Sequence, residues 1–277
     1  MERERLPGID LYYREDWQEE MKQFKKIYLE VFSVVSKLWD IKKPEALRVY
    51  ILKSSLKFFF SSLPLKGKIL YGFSFPLWYF RVKKLWAGWK GMSRGGEVPS
   101  VLIKPKTAYG EISSETGQMI YKPEDDREEI FKSVVCFQLT GVCISHLDLP
   151  RWLEQGVIMY TSERFLGYRD VKEETLDFFE EEDIKIDDEN IFKAPPERVA
   201  YNHVKGYWMV CHLEEEYPGF LAEVFSENRG DEIVEAVARK LGLTADVKYK
   251  FWEELDGFLL DCFRGESRAE EKEEKED

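Results

Sequence analysis

The sequence predicts an α+β fold in which strands and helices mix in the first half and helices alone fill the second. Two observations carry this. Short runs of strand character fall before residue 123, at 46–52, 98–104, 107–112 and 118–122. Apolar residues at helical spacing run over 17–39, 128–143 and 199–264. With 277 residues, 44% hydrophobic and 15% aromatic, the chain can bury a sizeable core as one large domain or two closely packed ones.

Residues 1–15 read as an irregular arm. From Trp17 to Trp39, the positions Met21, Phe24, Ile27, Tyr28, Val31, Phe32, Val35 and Leu38 form a helical stripe. Residues 46–52 read as a strand, Ser54 to Ser61 as a short helix entered through its serines, and 98–104 as a further strand. Thr107 to Ile112 and Gln118 to Lys122 read as a strand pair around a Ser-Ser-Glu-Thr-Gly turn. Glu124, Asp125 and Asp126 then stand at the entry of a helix over 128–143, where negative charge is favoured. Leu149-Pro150 breaks the chain before a second helix carrying Trp152, Leu153, Gly156, Val157 and Tyr160.

Residues 171–190 hold ten acids and two lysines and read as a solvated insertion in which Leu176, Phe178 and Phe179 still pack. Ile184, Ile186 and Ile191 are candidates for a short strand there. A calcium loop at Asp183 to Glu189 is disfavoured because the required glycine and ligand spacing are missing. Two helices divided near Tyr217-Pro218-Gly219 follow, then a helix from Asp231 to Leu241 ended by Gly242. The last helix is expected to run to about Arg264, capped by Thr244 or Asp246. A charged, disordered tail is expected over 265–277. The organisation is therefore 1–145 as an N-terminal α+β part, 146–264 as a helical part, and the tail.

Residues 131–160 read FKSVVCFQLTGVCISHLDLPRWLEQGVIMY. This stretch resembles the active-site core of the gluzincin-type zinc metallopeptidases, which carry HELTH or a similar HExxH segment on one helix and then an LPxWLxEGxAxY segment. Leu139, Thr140, Leu149, Pro150, Trp152, Leu153, Gly156 and Tyr160 match that pattern. The two histidine positions fall on Phe137 and Gly141, the general-base glutamate on Gln138 and the third ligand on Gln155. The resemblance implies a metallopeptidase-like fold over roughly 17–264. It also implies a strand pair before the zinc-site helix, with its edge strand beside bound substrate.

Two imidazoles one helical turn apart plus a carboxylate make a three-ligand zinc site. Phe137 and Gly141 supply no ligand atom, the Gln155 amide is a poor one, and Gln138 cannot take a proton from water. The expected function is that of a catalytically inactive metallopeptidase-like protein, without zinc or other cofactor, acting as a binding or scaffolding protein. A peptide or protein in the former substrate cleft is its expected partner. His203, Tyr207 and Tyr160 are candidate binding residues, because the resemblance places a later His or Tyr beside the cleft. The alternative is a hydrolase with a different metal or a shifted site. Its nucleophile would be Cys136, Cys143 or Thr140, with His146 three residues after Cys143.

Residues 65–95 are aromatic and basic. Over 41–100 the chain carries twelve Lys/Arg against Glu45 and Glu97, although its overall net charge is −12. Trp78, Arg81, Lys83, Lys84, Trp86 and Trp89 are therefore candidates for a surface patch. The patch would self-associate, meet a partner, or lie on an anionic membrane surface as in a peripheral membrane protein. The acidic net charge argues against nucleic acid. Cys136, Cys143, Cys211 and Cys262 lack CxxC spacing and read as buried thiols of a reducing compartment. With no apolar run behind the charged N-terminus and no clean 18-residue apolar span, the expected location is the cytoplasm. A charged fraction of 34% with only five glutamines hints at a thermophilic source.

Overall fold

The computed structural model describes residues 2–63, 89–109, 115–181, 194–245 and 248–273. It is a mixed α+β N-terminal region followed by an all-helical C-terminal region. Five strands form one sheet: β1 (Glu2–Leu6), β2 (Ile9–Tyr13), β3 (Leu47–Ile51), β4 (Gly91–Arg94) and β5 (Ser100–Ile103), in the order β1-β2-β3-β5-β4. The central β2, β3 and β5 are parallel, and β1 and β4 are antiparallel to their neighbours at the two ends. Parallel neighbours need a crossover. Helix α1 (Gln18–Trp39) supplies it between β2 and β3, and it ends on Asp40 in a left-handed conformation.

The N-terminal residues are not an irregular arm. Ile9, Leu11 and Tyr13 alternate as buried positions, and Gly8, with φ 78°, turns the chain back onto the charged strand β1. Arg3 and Arg5 meet Asp10 across this hairpin, so an exposed, charge-rich edge is paired rather than disordered. The Ser54 hydroxyl accepts from the Lys57 N–H at 3.2 Å and caps α2 (Ser55–Ser62), as its serines predicted.

The expected strand pair over 107–122 is corrected. Lys106–Ala108 is a single 3-10 turn and Glu115–Ile120 is helix α3, while 110–114 lie outside the described residues. The antiparallel pair before the central helix is instead β4–β5, with Gly95-Gly96 between them. Among the described residues of this span, only Tyr121 keeps a strand-like contact, an isolated bridge to Val171. Pairing is decided by which segments meet across the sheet, so a short run with strand character yields to helix when no partner is at hand.

Helices α4 (Arg127–Ile144) and α5 (Arg151–Leu166) form the middle of the molecule. The Asp126 carboxylate caps α4 by accepting from the Glu128 N–H at 2.8 Å, and Gly167, with φ 81°, ends α5. Helix α1 packs on both, and α4 also packs on β4 and β5. Over Arg127–Leu147 this segment is long and apolar enough to span a membrane, contrary to the sequence expectation, but 61% of the qualifying window is buried inside the protein.

The 3-10 helix Glu173–Phe179 packs Thr175, Leu176 and Phe179 inward, and the remaining insertion, 182–193, lies outside the described residues with its candidate strand and calcium loop. Helices α6 (Pro196–Glu216), α7 (Phe220–Glu227), α8 (Asp231–Lys240) and α9 (Lys248–Glu273) complete the chain. Helix α9 continues nine residues beyond the expected end, so the tail is helical through Glu273. Its Glu, Arg, Ala and Lys content favours helix. The main hydrophobic core runs from Ile9 on β2 to Leu259 on α9 without a break between the two regions.

Candidate functional site

Helix α4 sets Phe137 and Gly141 one turn apart on one face, with Gln138 beside them. Each meets a different neighbour. The Phe137 ring packs edge-on against Tyr121, with centroids 6.2 Å apart. Gln138 lies along the edge strand: a Cβ on Gly91 of β4 would stand 2.8 Å from its Cγ and 3.0 Å from its Nε2. Gly141 faces both α5 and β4: a Cβ there would meet the Ile158 Cδ1 of α5 at 3.3 Å and the Ser93 Oγ of β4 at 3.7 Å. Gln155 lies half-buried one turn before Ile158 on α5. Gln138 and Gly141 thus lie where α4 meets β4 and α5, whereas Phe137 turns to Tyr121.

These residues do not fit a metal. Phe137 and Gly141 carry no donor, and a Cβ at 141 would already press on the Ile158 Cδ1 at 3.3 Å. The described residues contain no group of three or more His, Cys, Asp or Glu placed to hold an ion.

The candidate nucleophiles Cys136, Cys143 and Thr140 are all buried. The Cys136 and Cys143 thiols are each pushed up to about 12 by burial, so neither ionises near neutrality. His146 turns its Nδ1 to the Cys143 carbonyl at 2.8 Å rather than to its sulfur. Thr140 is fully buried beside Cys136. All four cysteines are free thiols, three of them buried.

Of the three candidate binding residues, two belong to the core. Tyr160 packs against Trp39 at 5.9 Å, and its phenol is raised to about 12 by burial. Tyr207 is fully buried and donates its hydroxyl to Glu163, which also faces Arg169 at 3.6 Å. His203 is different. It is half-buried, with its Nε2 enclosed and without a partner among the described residues. Burial first, and the Arg151 charge second, lower it to about 3 and keep the imidazole neutral. Arg151, one turn before Gln155, has a buried Nε without a partner, as has the Asn202 Oδ1. The start of α5 and this part of α6 therefore carry three buried polar atoms without a partner among the described residues, of which those of Arg151 and His203 act on one another.

Trp78, Arg81, Lys83, Lys84 and Trp86 lie outside the described residues. Trp89 is half-buried just before β4.

Sequence reasoning missed a buried polar network between α6 and α9. The fully buried Lys205 pairs with Asp256 at 2.8 Å and donates to the Tyr201 hydroxyl at 2.9 Å and to the Trp252 carbonyl. The Tyr201 hydroxyl in turn donates to Asp256 at 2.9 Å. The available signal was a lysine one turn after Tyr201 within an apolar stripe, and an aspartate between Leu255 and Gly257 in another.

Comparison with protein-family models, curated proteins and solved structures finds no match to this chain.

Proposed function

We propose that this protein is a metallopeptidase-like scaffold without hydrolytic activity, which binds a peptide or protein segment beside α5 and α6. The observation that carries the binding half is the set of buried, unpartnered atoms at Arg151, Asn202 and His203. A buried polar group left unpaired costs about 1–3 kcal/mol. The Arg151 and His203 atoms, close enough for the guanidinium to lower the imidazole, favour a partner that supplies hydrogen bonds, as a peptide backbone does. The inactive half is supported by chemistry at the four positions: Phe137 and Gly141 lack ligand atoms, Gln138 cannot act as a base, and the Gln155 amide is a poor ligand.

A restoration experiment tests the geometry. The variant Phe137→His, Gln138→Glu, Gly141→His and Gln155→Glu, with Ile158→Ala to clear space, should bind one zinc ion by elemental analysis, whereas the natural protein should retain none. Stoichiometric zinc in the natural protein, or a folded variant that binds no zinc, would sink the reading. For the binding half, titration with pooled peptides should move the His203 imidazole resonance. A pool that leaves it unmoved removes that half.

A further inference from the structure

A second site uses none of Phe137, Gln138, Gly141 or Gln155 and does not depend on the reading above. Where the start of α5 meets α8 and α9, a partly open pocket of about 190 Å³ is formed. Its floor is aromatic. Trp152, Phe251 and Trp252 all line it, each at most 5% exposed. The Trp152 and Trp252 centroids are 5.1 Å apart at 65°, and Phe251 stands 6.2 Å from Trp152. Its mouth is acidic. Asp231 and Glu235, one turn apart on α8, line the cavity and are exposed. Finally, the Trp252 indole N–H is buried without an acceptor among the described residues.

We infer that this cavity binds a small organic ammonium carrying a hydrogen-bond acceptor, with its alkyl groups among Trp152, Phe251 and Trp252 and its charge toward Asp231 and Glu235. Aromatic faces attract alkylated cations through their quadrupole, and such groups lose less hydration than a bare ammonium on entering an apolar pocket. The size agrees, since an apolar cavity of about 150 Å³ holds a benzene-sized guest. The acceptor answers the unpaired indole N–H.

Asp231 alone would need no ligand to explain it, because an acid in the first turn of a helix is favourable there. Glu235 is a full turn further on, and the orphaned indole is unrelated to the helix dipole. Glu235 also meets Arg239 at 2.7 Å, but both side chains are more than half exposed and such pairs are weak. The Lys205 ammonium, 3.7 Å from the Trp252 centroid, does not repel a cationic guest appreciably, because Asp256 neutralises it.

Isothermal titration of the full chain at low salt compares choline with its uncharged isostere 3,3-dimethylbutan-1-ol. Choline should bind about tenfold more tightly. The double variant Asp231→Asn, Glu235→Gln, which changes only exposed residues, should weaken choline severalfold without weakening the uncharged isostere, with only a small fall in melting temperature from the lost first-turn charge and the Glu235–Arg239 pair. Ala245→Leu, which adds bulk to a lining residue, should weaken choline about tenfold. Equal binding of the two compounds, binding of neither, or choline affinity unmoved in both variants would each overturn the assignment.

Discussion

Lys205 shows how a single residue can fix the packing of two helices. Its ammonium is fully buried, and Asp256, Tyr201, the Trp252 carbonyl and the Trp252 ring surround it. A buried ion pair gives modest net stability, but removing one partner strands the other charge in a poorly solvated place. Lys205→Met should therefore destabilise the protein by about 3–5 kcal/mol in urea unfolding, and Lys205→Met with Asp256→Leu should recover most of that loss. If the single variant were as stable as the double, the pair would not be coupled as its geometry indicates. His203 carries the opposite arrangement: an enclosed nitrogen without a partner, which is why the proposed binding region is placed there and not at Tyr207 or Tyr160.

At the scale of elements, the contact between α5 and α6 decides where the candidate site can lie. The two helices approach so closely that a Cβ on Gly156 would stand 2.3 Å from the Gly206 carbonyl carbon, and one on Gly206 would stand 2.0 Å from the Trp152 oxygen. Glycine within a helix costs about 1 kcal/mol relative to alanine, so two facing glycines are retained for the approach they permit. Gly206→Ala should lower stability by about 2–3 kcal/mol or more, since neither backbone can yield. Gly257→Ala, on the exposed face of α9 with open space around it, should instead raise stability by about 0.4–1 kcal/mol. Denaturant melts of the two variants separate the cases, and similar shifts in the same direction would contradict the close crossing.

For the whole molecule, the continuous core from Ile9 to Leu259 ties the sheet to the C-terminal helices through α1, α4 and α5. The boundary expected at 145–146 therefore does not separate two independent cores. Unfolding should be one cooperative transition, with far-ultraviolet dichroism and tryptophan fluorescence superimposing. Two separated transitions would restore the division. Helix α4 illustrates the same point: it passes for a membrane span by composition, and its apolar surface is used against α1, α5 and the sheet.

Periodicity alone made the helices legible, because a helix that buries one face repeats its apolar residues on that face: α1, α4 to α8 and the body of α9 were all readable. That Phe137 and Gly141 carry no ligating atom was likewise readable, because side-chain chemistry does not depend on the fold. Pairing was not. The β1–β2 hairpin and the helical state of Glu115–Ile120 depend on which segments the sheet brings together, and short runs do not encode that. Only the tertiary structure placed Ile158 over Gly141 and buried Lys205 against Asp256. It alone gathered Trp152, Phe251 and Trp252 around one cavity. Each joins residues from segments distant in sequence, and such contacts arise when helices pack, from surfaces that no single segment specifies.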